Sequence, residues 1–337
     1  MENKNYGEKR ENEKSLKKHL FLVLKNNILL AGAVFAFILL TAAWFVNNSR
    51  VQAGGATVSA TADRKFELAA VGTTGKYDNI LKSILGDIVQ DGDDWSSTDS
   101  TIDGKVTSNG KGDIVWVMSS DQNLKNNTEN GTIEPGSSGK LEFYVLPKDT
   151  SAKHDFTFTL TVKGYKESDG KYIQMSNSDK FYKLLSGHIQ FFSSCDENGK
   201  YDGRLTATAS AEGITITGLK RSTDVGKTKV TIYWVWPYYV GDMILPDGNG
   251  KLSNDKKKTL FIDKLRETTA KEMADNYGKY FENPIDDALK GETAEMVKGN
   301  IDEKAYNVIY TAYNNADKYI GENGEYILVQ LSAAMDN

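Results

Sequence analysis

The chain has 337 residues, a formal net charge of −5 and a single cysteine. An acidic chain has no surplus of Lys and Arg to pair with phosphates, so the charge argues against nucleic acid as a partner. One cysteine cannot form an internal disulfide, which excludes the class of small domains that disulfides hold together.

The N-terminus combines a basic tail with a long apolar run. Residues 1–27 carry a net charge of +3, and residues 28–46 contain no charge. A helix of 19 residues spans about 28 Å, close to the thickness of a bilayer core. Because positive flanks stay in the cytoplasm, we expect the tail to be cytoplasmic and the rest of the chain to be exported.

The segment 47–56 allows two interpretations. Ala53 has a small aliphatic residue two positions before it, so the bond to Gly54 matches a signal-peptidase site. In the other interpretation residues 28–46 stay as a membrane anchor, with Trp44 and Phe45 at the outer interface. The first predicts a secreted protein and the second a domain held at the cell surface.

Two features follow before the main series of strands. A short helix is predicted over 77–89 from apolar residues at helical spacing. The run 91–94 is acidic and turn-like, and it lacks the Gly and Glu positions of an EF-hand calcium loop. We expect a solvated loop there, with calcium binding as the alternative.

Most of the chain carries strand patterns. Strands are predicted at 114–118, 140–146, 154–162, 188–192, 205–209, 214–219, 229–236 and 325–332. Residues 154–162 alternate apolar and threonine side chains, as a half-buried antiparallel strand does. Residues 114–118 are apolar on both faces and are expected in the centre of a sheet. The series predicts a mainly β fold, an antiparallel jelly-roll-like β-sandwich.

A helical segment is predicted at about 253–321, before the closing strand. Apolar residues recur every four positions over 261–281, which is typical of an amphipathic helix. Asn283 and Pro284 predict the start of a second helix that ends near Gly291. A third is predicted from the Asn300 and Glu303 capping pair to Gly321. The strand that follows returns to the same core, so residues 57–337 are expected to form one domain with a helical insertion.

The sequence carries no recognisable catalytic, cofactor or metal motif. His19, His154 and His188 form no zinc-ligand pattern, and His188 is expected on the surface of its strand. Cys195 shows no partner base for a nucleophile. The aromatic run 234–239 predicts core packing followed by a turn, with a carbohydrate-stacking surface as the alternative. We therefore expect a protein that is not an enzyme and has no cofactor.

Several segments together resemble the TasA/camelysin family of Gram-positive surface and biofilm-matrix proteins. They are residues 42–55, 131–139 and 230–237, followed by 315–321 and the closing strand. The resemblance implies a jelly roll with inserted helices and export with a dedicated signal peptidase. It also implies extracellular fibres, in which the N-terminal strand freed by cleavage completes the sheet of the next subunit. The name camelysin implies protease activity, but this sequence contains no zinc-ligand motif that would support it.

The leading hypothesis is a fibre-forming matrix subunit that self-associates by strand addition. The donor strand is expected within residues 56–71, at Ala56, Thr57, Val58, Ser59 and Ala60. Alternatively, this segment is the first strand of its own sheet and the protein is a monomer on a stalk. The second functional hypothesis is a membrane-anchored binding or adhesion domain that faces the cell wall, and the least favoured is a cell-wall hydrolase.

Overall fold

The computed structural model describes residues 66–70, 114–118, 133–248, 259–283 and 286–336. Within them, strands form two antiparallel sheets, and most of the helices lie between the last two strands of the chain. The fold is mainly β with a few helices, which confirms the coarse prediction. The tail, the apolar run, the cleavage site, the helix predicted at 77–89 and the acidic loop lie outside the described residues.

The first sheet, sheet I, buries apolar side chains on both of its faces. In spatial order its strands are β1 (Phe66–Ala70), β3 (Ser138–Pro147), β10 (Thr228–Val235), β6 (Gln190–Cys195) and β7 (Tyr201–Arg204). Burial alternates residue by residue along β3, as expected for a strand with one face in the core. The strands predicted at 140–146 and 229–236 are confirmed within two residues at each end.

The second sheet, sheet II, places the last strand of the chain between two earlier ones. Its order is β2 (Ile114–Val117), β11 (Tyr326–Met335), β4 (Asp155–Ser168), β9 (Gly213–Ser222) and β8 (Thr206–Ser210), with β5 (Lys171–Gln174) on the end of β4. The central position predicted for 114–118 is wrong, because β2 pairs with β11 alone among the described strands. Ile114, Val115 and Trp116 are nevertheless buried, so the apolar run indicated burial and not position.

The two sheets pack face to face around an aromatic core. Phe143 of sheet I meets Phe158 of sheet II edge to face, with 5.2 Å between the ring centroids. Phe66 of β1 meets Phe156 in the same way at 5.0 Å. In β4, Phe156, Phe158, Leu160 and Val162 are buried while the intervening threonines are partly exposed, as the alternating pattern predicted. These contacts define a two-sheet sandwich.

The described helices are α1 (Asp179–His188), α2 (Val240–Ile244), α3 (Asp263–Asp275), α4 (Asp287–Lys298) and α5 (Glu303–Asn323), with a 3-10 turn at Tyr277–Lys279. A second apolar cluster joins Phe192 and Val235 of sheet I to residues of the later helices such as Met273 and Tyr313. These later helices form a layer on the outer face of sheet I. Helix α1 differs, because it contacts β8 and β9 of sheet II and its apolar side chains join the core between the sheets.

Two local predictions about helices were wrong. The second helix does not end near Gly291 but continues to Lys298, where Gly299 takes the positive φ of 72° that glycine adopts readily. The third helix is capped by Asp302 and not by Asn300, because the Asp302 carboxylate accepts hydrogen bonds from the Lys304 and Ala305 backbone N–H groups. Asp at the N-cap satisfies donors that the first turn leaves unpaired.

The strand predicted at 188–192 begins later than expected. Residues Asp179–His188 form helix α1, and strand β6 starts at Gln190. Phe181, Leu184, Leu185 and His188 are buried at helical spacing. This spacing explains why the chain is helical through His188, although the apolar run that follows it had suggested a strand from that residue.

None of the described helices is both long and apolar enough to cross a bilayer. Residues 28–46 lie outside the described part of the chain, so their predicted membrane role stays a prediction.

Candidate functional site

Strand β1 is the described segment nearest to the predicted donor strand. Phe66–Ala70 pairs antiparallel with β3, in a register that places Leu68 opposite Val145. Leu68 is buried in the core between the sheets. The residues predicted as the donor strand, Ala56 to Ala60, and the cleavage bond between Ala53 and Gly54 lie outside the described residues. The continuation of the candidate segment thus supplies a core side chain to its own sheet.

The two ends of sheet I differ. At one end, no described strand pairs with the outer side of β1. At the other end, a segment of the same chain lies along β7: the Tyr201 N–H donates to the Leu260 carbonyl oxygen at 2.7 Å, and the Ile262 N–H donates to Tyr201 at 3.4 Å. Unpaired strand edges can accept further strands. Among the described strands, the outer side of β1 is such an edge, whereas the edge of β7 is bridged at Tyr201.

Tyrosines form a cluster on the surface near the end of β10. Trp234 and Trp236 are buried, which confirms core packing for that part of the aromatic run. Tyr238 is 49% exposed, and its ring meets that of Tyr239 at 4.3 Å. The ring of Tyr310 lies 5.5 Å from Tyr239. The alternative of an aromatic contact surface therefore applies to these tyrosines and not to the tryptophans.

His188 is the centre of a buried polar cluster, so the prediction of a surface histidine was wrong. Its Nδ1 lies 2.6 Å from Asp317 Oδ1 and its Nε2 lies 3.1 Å from the Tyr280 carbonyl oxygen. His188 is the last residue of α1, and its side chain points toward Tyr280 and Asp317 in the helix layer. Both nitrogens face acceptors, so the ring makes both hydrogen bonds only when both nitrogens carry a proton.

The other contacts of this cluster are structural. Trp236 Nε1 donates to the same Asp317 oxygen at 2.7 Å, and the His188 ring stacks on Tyr313 at 4.1 Å. Burial raises the pKa of Tyr313, with a further contribution from the Asp317 charge. The cluster ties sheet I to α5.

A second polar cluster surrounds Arg204, at the point where the chain passes from β7 to β8. Its Nη2 donates to Glu272 Oε2 at 2.6 Å, and Nη1 lies 3.3 Å from Gln190 Oε1. Lys279 donates to the other Glu272 oxygen at 2.8 Å, and the Tyr280 hydroxyl donates to Glu272 Oε2 at 2.9 Å. Two cations and a tyrosine hydroxyl thus surround one carboxylate.

This environment fixes the charge of the cluster. Burial by itself raises the pKa of Glu272, but Arg204 and Lys279 outweigh it and hold the pKa below its usual range. Burial also raises the pKa of Tyr280 far above its usual value, although the Arg204 charge opposes this. Glu272 is therefore ionised and Tyr280 is a neutral donor, which leaves one uncompensated positive charge.

The Arg204 cluster lines a cavity of about 270 Å³. Its polar lining residues include Ser186, Gln190 and Lys279, and its apolar lining residues include Leu205 and Ile216. Helix α1 approaches the 3-10 turn closely here because residue 187 is glycine: a Cβ at Gly187 would lie 2.2 Å from the Lys279 carbonyl oxygen. No sequence pattern indicates this site, because its charged members lie far apart in the chain.

The described residues hold no group of three or more His, Cys, Asp or Glu side chains with metal-site geometry. Cys195, at the end of β6, is partly exposed, with its sulfur 3.8 Å from the Asp196 carbonyl oxygen. Comparison with protein-family models, with curated proteins and with solved structures found no match.

Proposed function

We propose that the protein is an exported structural subunit of the cell surface or extracellular matrix that assembles into fibres by strand addition. The observation that carries the proposal is β1, a five-residue edge strand that follows the predicted cleavage site and inserts Leu68 into the core. The resemblance to the TasA/camelysin family supports the same function. Secretion after cleavage at Ala53, or retention by residues 28–46, is part of the proposal.

The contacts of β1 suit exchange between copies. In an antiparallel pair, backbone hydrogen bonds supply affinity and alternate side chains supply specificity. Burying a leucine side chain such as Leu68 contributes about 2 kcal/mol. A β1 strand from a second copy would form the same hydrogen bonds with β3 and bury the same side chain, so exchange conserves these interactions.

We also propose that the sandwich is jelly-roll-like. Strands β1, β2, β3 and β4 alternate between sheet I and sheet II, so the chain crosses the sandwich at each step. Such crossings are typical of double-sheet Greek-key folds. The helices between β10 and β11 agree with the inserted helices that the family resemblance implies.

A disulfide that locks β1 to its own β3 tests the proposal. Ala69 and Tyr144 are register partners, and such pairs lie about 4.5–5.5 Å apart at Cα, which a disulfide can span. We expect a chain that starts at Gly54, with A69C, Y144C and C195S, to stay monomeric when oxidised. On reduction it should form filaments that electron microscopy detects.

The matched control locks two strands that should not exchange. Thr157 and Ala334 are register partners in β4 and β11, so the T157C/A334C pair in the C195S background should form filaments in both redox states. Filaments from the oxidised β1-locked chain would overturn strand exchange. Failure of the unlocked chain to form any filament would overturn the proposed function.

The surface tyrosines favour a second candidate, an adhesion domain that binds cell-wall glycan. Exposed aromatic rings provide apolar faces with a polar edge, which suits carbohydrate rings. We expect Y238A/Y310A to reduce retention on purified wall glycan, while Y172A on the distant strand β5 should not. Equal retention of all three proteins would exclude this surface.

A further inference from the structure

The cavity beside Arg204 has features that neither strand exchange nor glycan binding uses. It lies where the chain crosses from sheet I to sheet II, between β6, β8, β9 and the helix layer. Arg204 belongs to β7, which lies at the opposite edge of sheet I from β1. The cavity combines polar and apolar walls, which is typical of ligand sites.

The charged side chains that line the cavity carry more positive than negative charge. Arg204 and Lys279 carry positive charge, and Glu272 is the one acidic residue among those lining the cavity. Arg204 donates to Glu272, Gln190 and Thr269, so its guanidinium is held in place. Lys279 has three donors, of which one contacts Glu272. An anionic group in the cavity would therefore find Lys279 as its nearest adaptable cation.

The apolar wall limits what can carry that anion. Phe191, Leu205, Ala207 and Ile216 contribute apolar side chains to the lining of the cavity. The volume of about 270 Å³ is smaller than the roughly 300–1,000 Å³ of sites for drug-sized molecules. The ligand that fits is small, with one charged end and a short apolar body.

We propose that this cavity binds a small organic carboxylate, with the carboxylate on Lys279 and Arg204 and the hydrocarbon body against Leu205, Ala207 and Ile216. A carboxylate matches the single excess charge, and a hydrogen bond between charged partners is stronger than one between neutral groups. The polar residues hold one another in position before a ligand arrives, which lowers the entropic cost of binding.

Pentanoate is the probe, and pentanamide is its uncharged isostere. The full chain in nanodiscs of neutral lipid is titrated with each by isothermal calorimetry. We expect saturable binding of pentanoate that is at least about tenfold tighter than that of pentanamide, because only pentanoate makes charge-assisted hydrogen bonds. Absence of saturable pentanoate binding, or equal binding of both compounds, would overturn the proposal.

Two lysine variants test whether the charge of Lys279 holds the carboxylate. K279M should weaken pentanoate binding about tenfold and leave pentanamide unchanged, since it removes a charge and keeps the chain length. K271M is the matched control, because Lys271 lies exposed on the same helix as Glu272, outside the cavity. Equal losses in K279M and K271M would contradict the assignment of Lys279.

A207L fills the apolar side and should abolish binding of both compounds. Circular dichroism establishes that each variant is folded before titration. If A207L is unfolded, line broadening of the Phe191 and Tyr280 ring signals on titration of the wild-type chain locates the ligand instead. Pentanoate that leaves both rings unaffected would show binding elsewhere and overturn the proposal.

Discussion

The interface between the two sheets and the interface between sheet I and the helices treat polar groups differently. Between the sheets, the largest buried side chains are rings such as Phe143, Phe156 and Phe158, at most 1% exposed. In the helix layer, His188, Arg266 and the carboxylate of Asp317 are buried. In the described residues, the core between the sheets is built mainly from apolar side chains, whereas the helix layer also buries ionisable ones.

This difference predicts how each interface fails. In an apolar core, the loss of stability grows with the volume of the cavity that a substitution leaves, and partial relaxation of the neighbouring side chains reduces it. A buried polar cluster loses more when one partner is removed than the pair itself contributes, because the other partner is left unsatisfied. Arg266, for example, donates to the carbonyl oxygens of Ile244 and Val297 and joins three helices. Substitutions at the two interfaces should therefore distinguish the stability lost with side-chain volume from the stability lost with a hydrogen-bond partner.

The largest effect is expected in the apolar interface. Phe143 is fully buried between the sheets, so F143A should lower the free energy of unfolding by about 4 kcal/mol. Urea denaturation followed by fluorescence measures the change. F143L keeps most of the volume and should cost less than half as much. A loss below about 1 kcal/mol in F143A would show that the sheets do not pack as described.

The next effect tests pairing in the helix layer. D317A leaves the His188 ring and the Trp236 N–H without their acceptor, and we expect a loss of about 3 kcal/mol although little volume is removed. N315A, on the exposed face of α5, is the control and should change stability by less than about 0.5 kcal/mol. Equal stabilities of the two variants in thermal unfolding would contradict the comparison.

A smaller effect depends on pH. The pKa of Glu272 is lower in the folded chain than its ordinary value of 4.5, so its stabilising contribution is present above pH 4.5 and is lost as pH falls through the folded pKa. E272Q lacks this contribution at neutral pH. We expect E272Q to be less stable than wild type at pH 7, by about 1–2 kcal/mol because the pair is partly exposed.

The pH dependence distinguishes a charge effect from a packing effect. Stability differences between wild type and E272Q, measured by urea denaturation from pH 7 to pH 3, should shrink below pH 4.5. A difference that stays constant over that range would mean that the carboxylate charge does not stabilise the Arg204 cluster.

The smallest effect concerns the start of α5. D302A removes a side chain that accepts two backbone hydrogen bonds, and we expect a loss of about 1 kcal/mol. N300A should change thermal stability by less than about 0.5 kcal/mol, because the cap is at Asp302. A larger loss in N300A than in D302A would reverse the assignment of the cap.

Local hydrophobic patterns in the sequence predicted much of the β-sandwich. The alternation of Phe156, Phe158, Leu160 and Val162 encodes which face of β4 is buried, and the structure agrees. Helix α1 could have been found in the same way, from the helical spacing of Phe181, Leu184 and Leu185. The position of β2 could not, because an apolar run records burial but not which strands are neighbours.

The polar clusters depend on contacts that have no local signal. His188 and Asp317 are 129 residues apart, and Arg204 and Glu272 are 68 residues apart. The helical spacing of Phe181, Leu184 and Leu185 places His188 on the buried face of α1, but no local signal identifies its partners, which come from two other segments. Only the fold brings these charges together, so the cavity they line was not foreseeable from spacing.

The place of β11 in sheet II determines when the fold can form. This strand pairs with β2 on one side and β4 on the other, so the two earlier strands have no common neighbour until β11 arrives. Synthesis from the N-terminus delivers β2 and β4 long before β11. Sheet II therefore cannot be completed until the last strand is available, and the long sequence separation of its pairing partners slows folding.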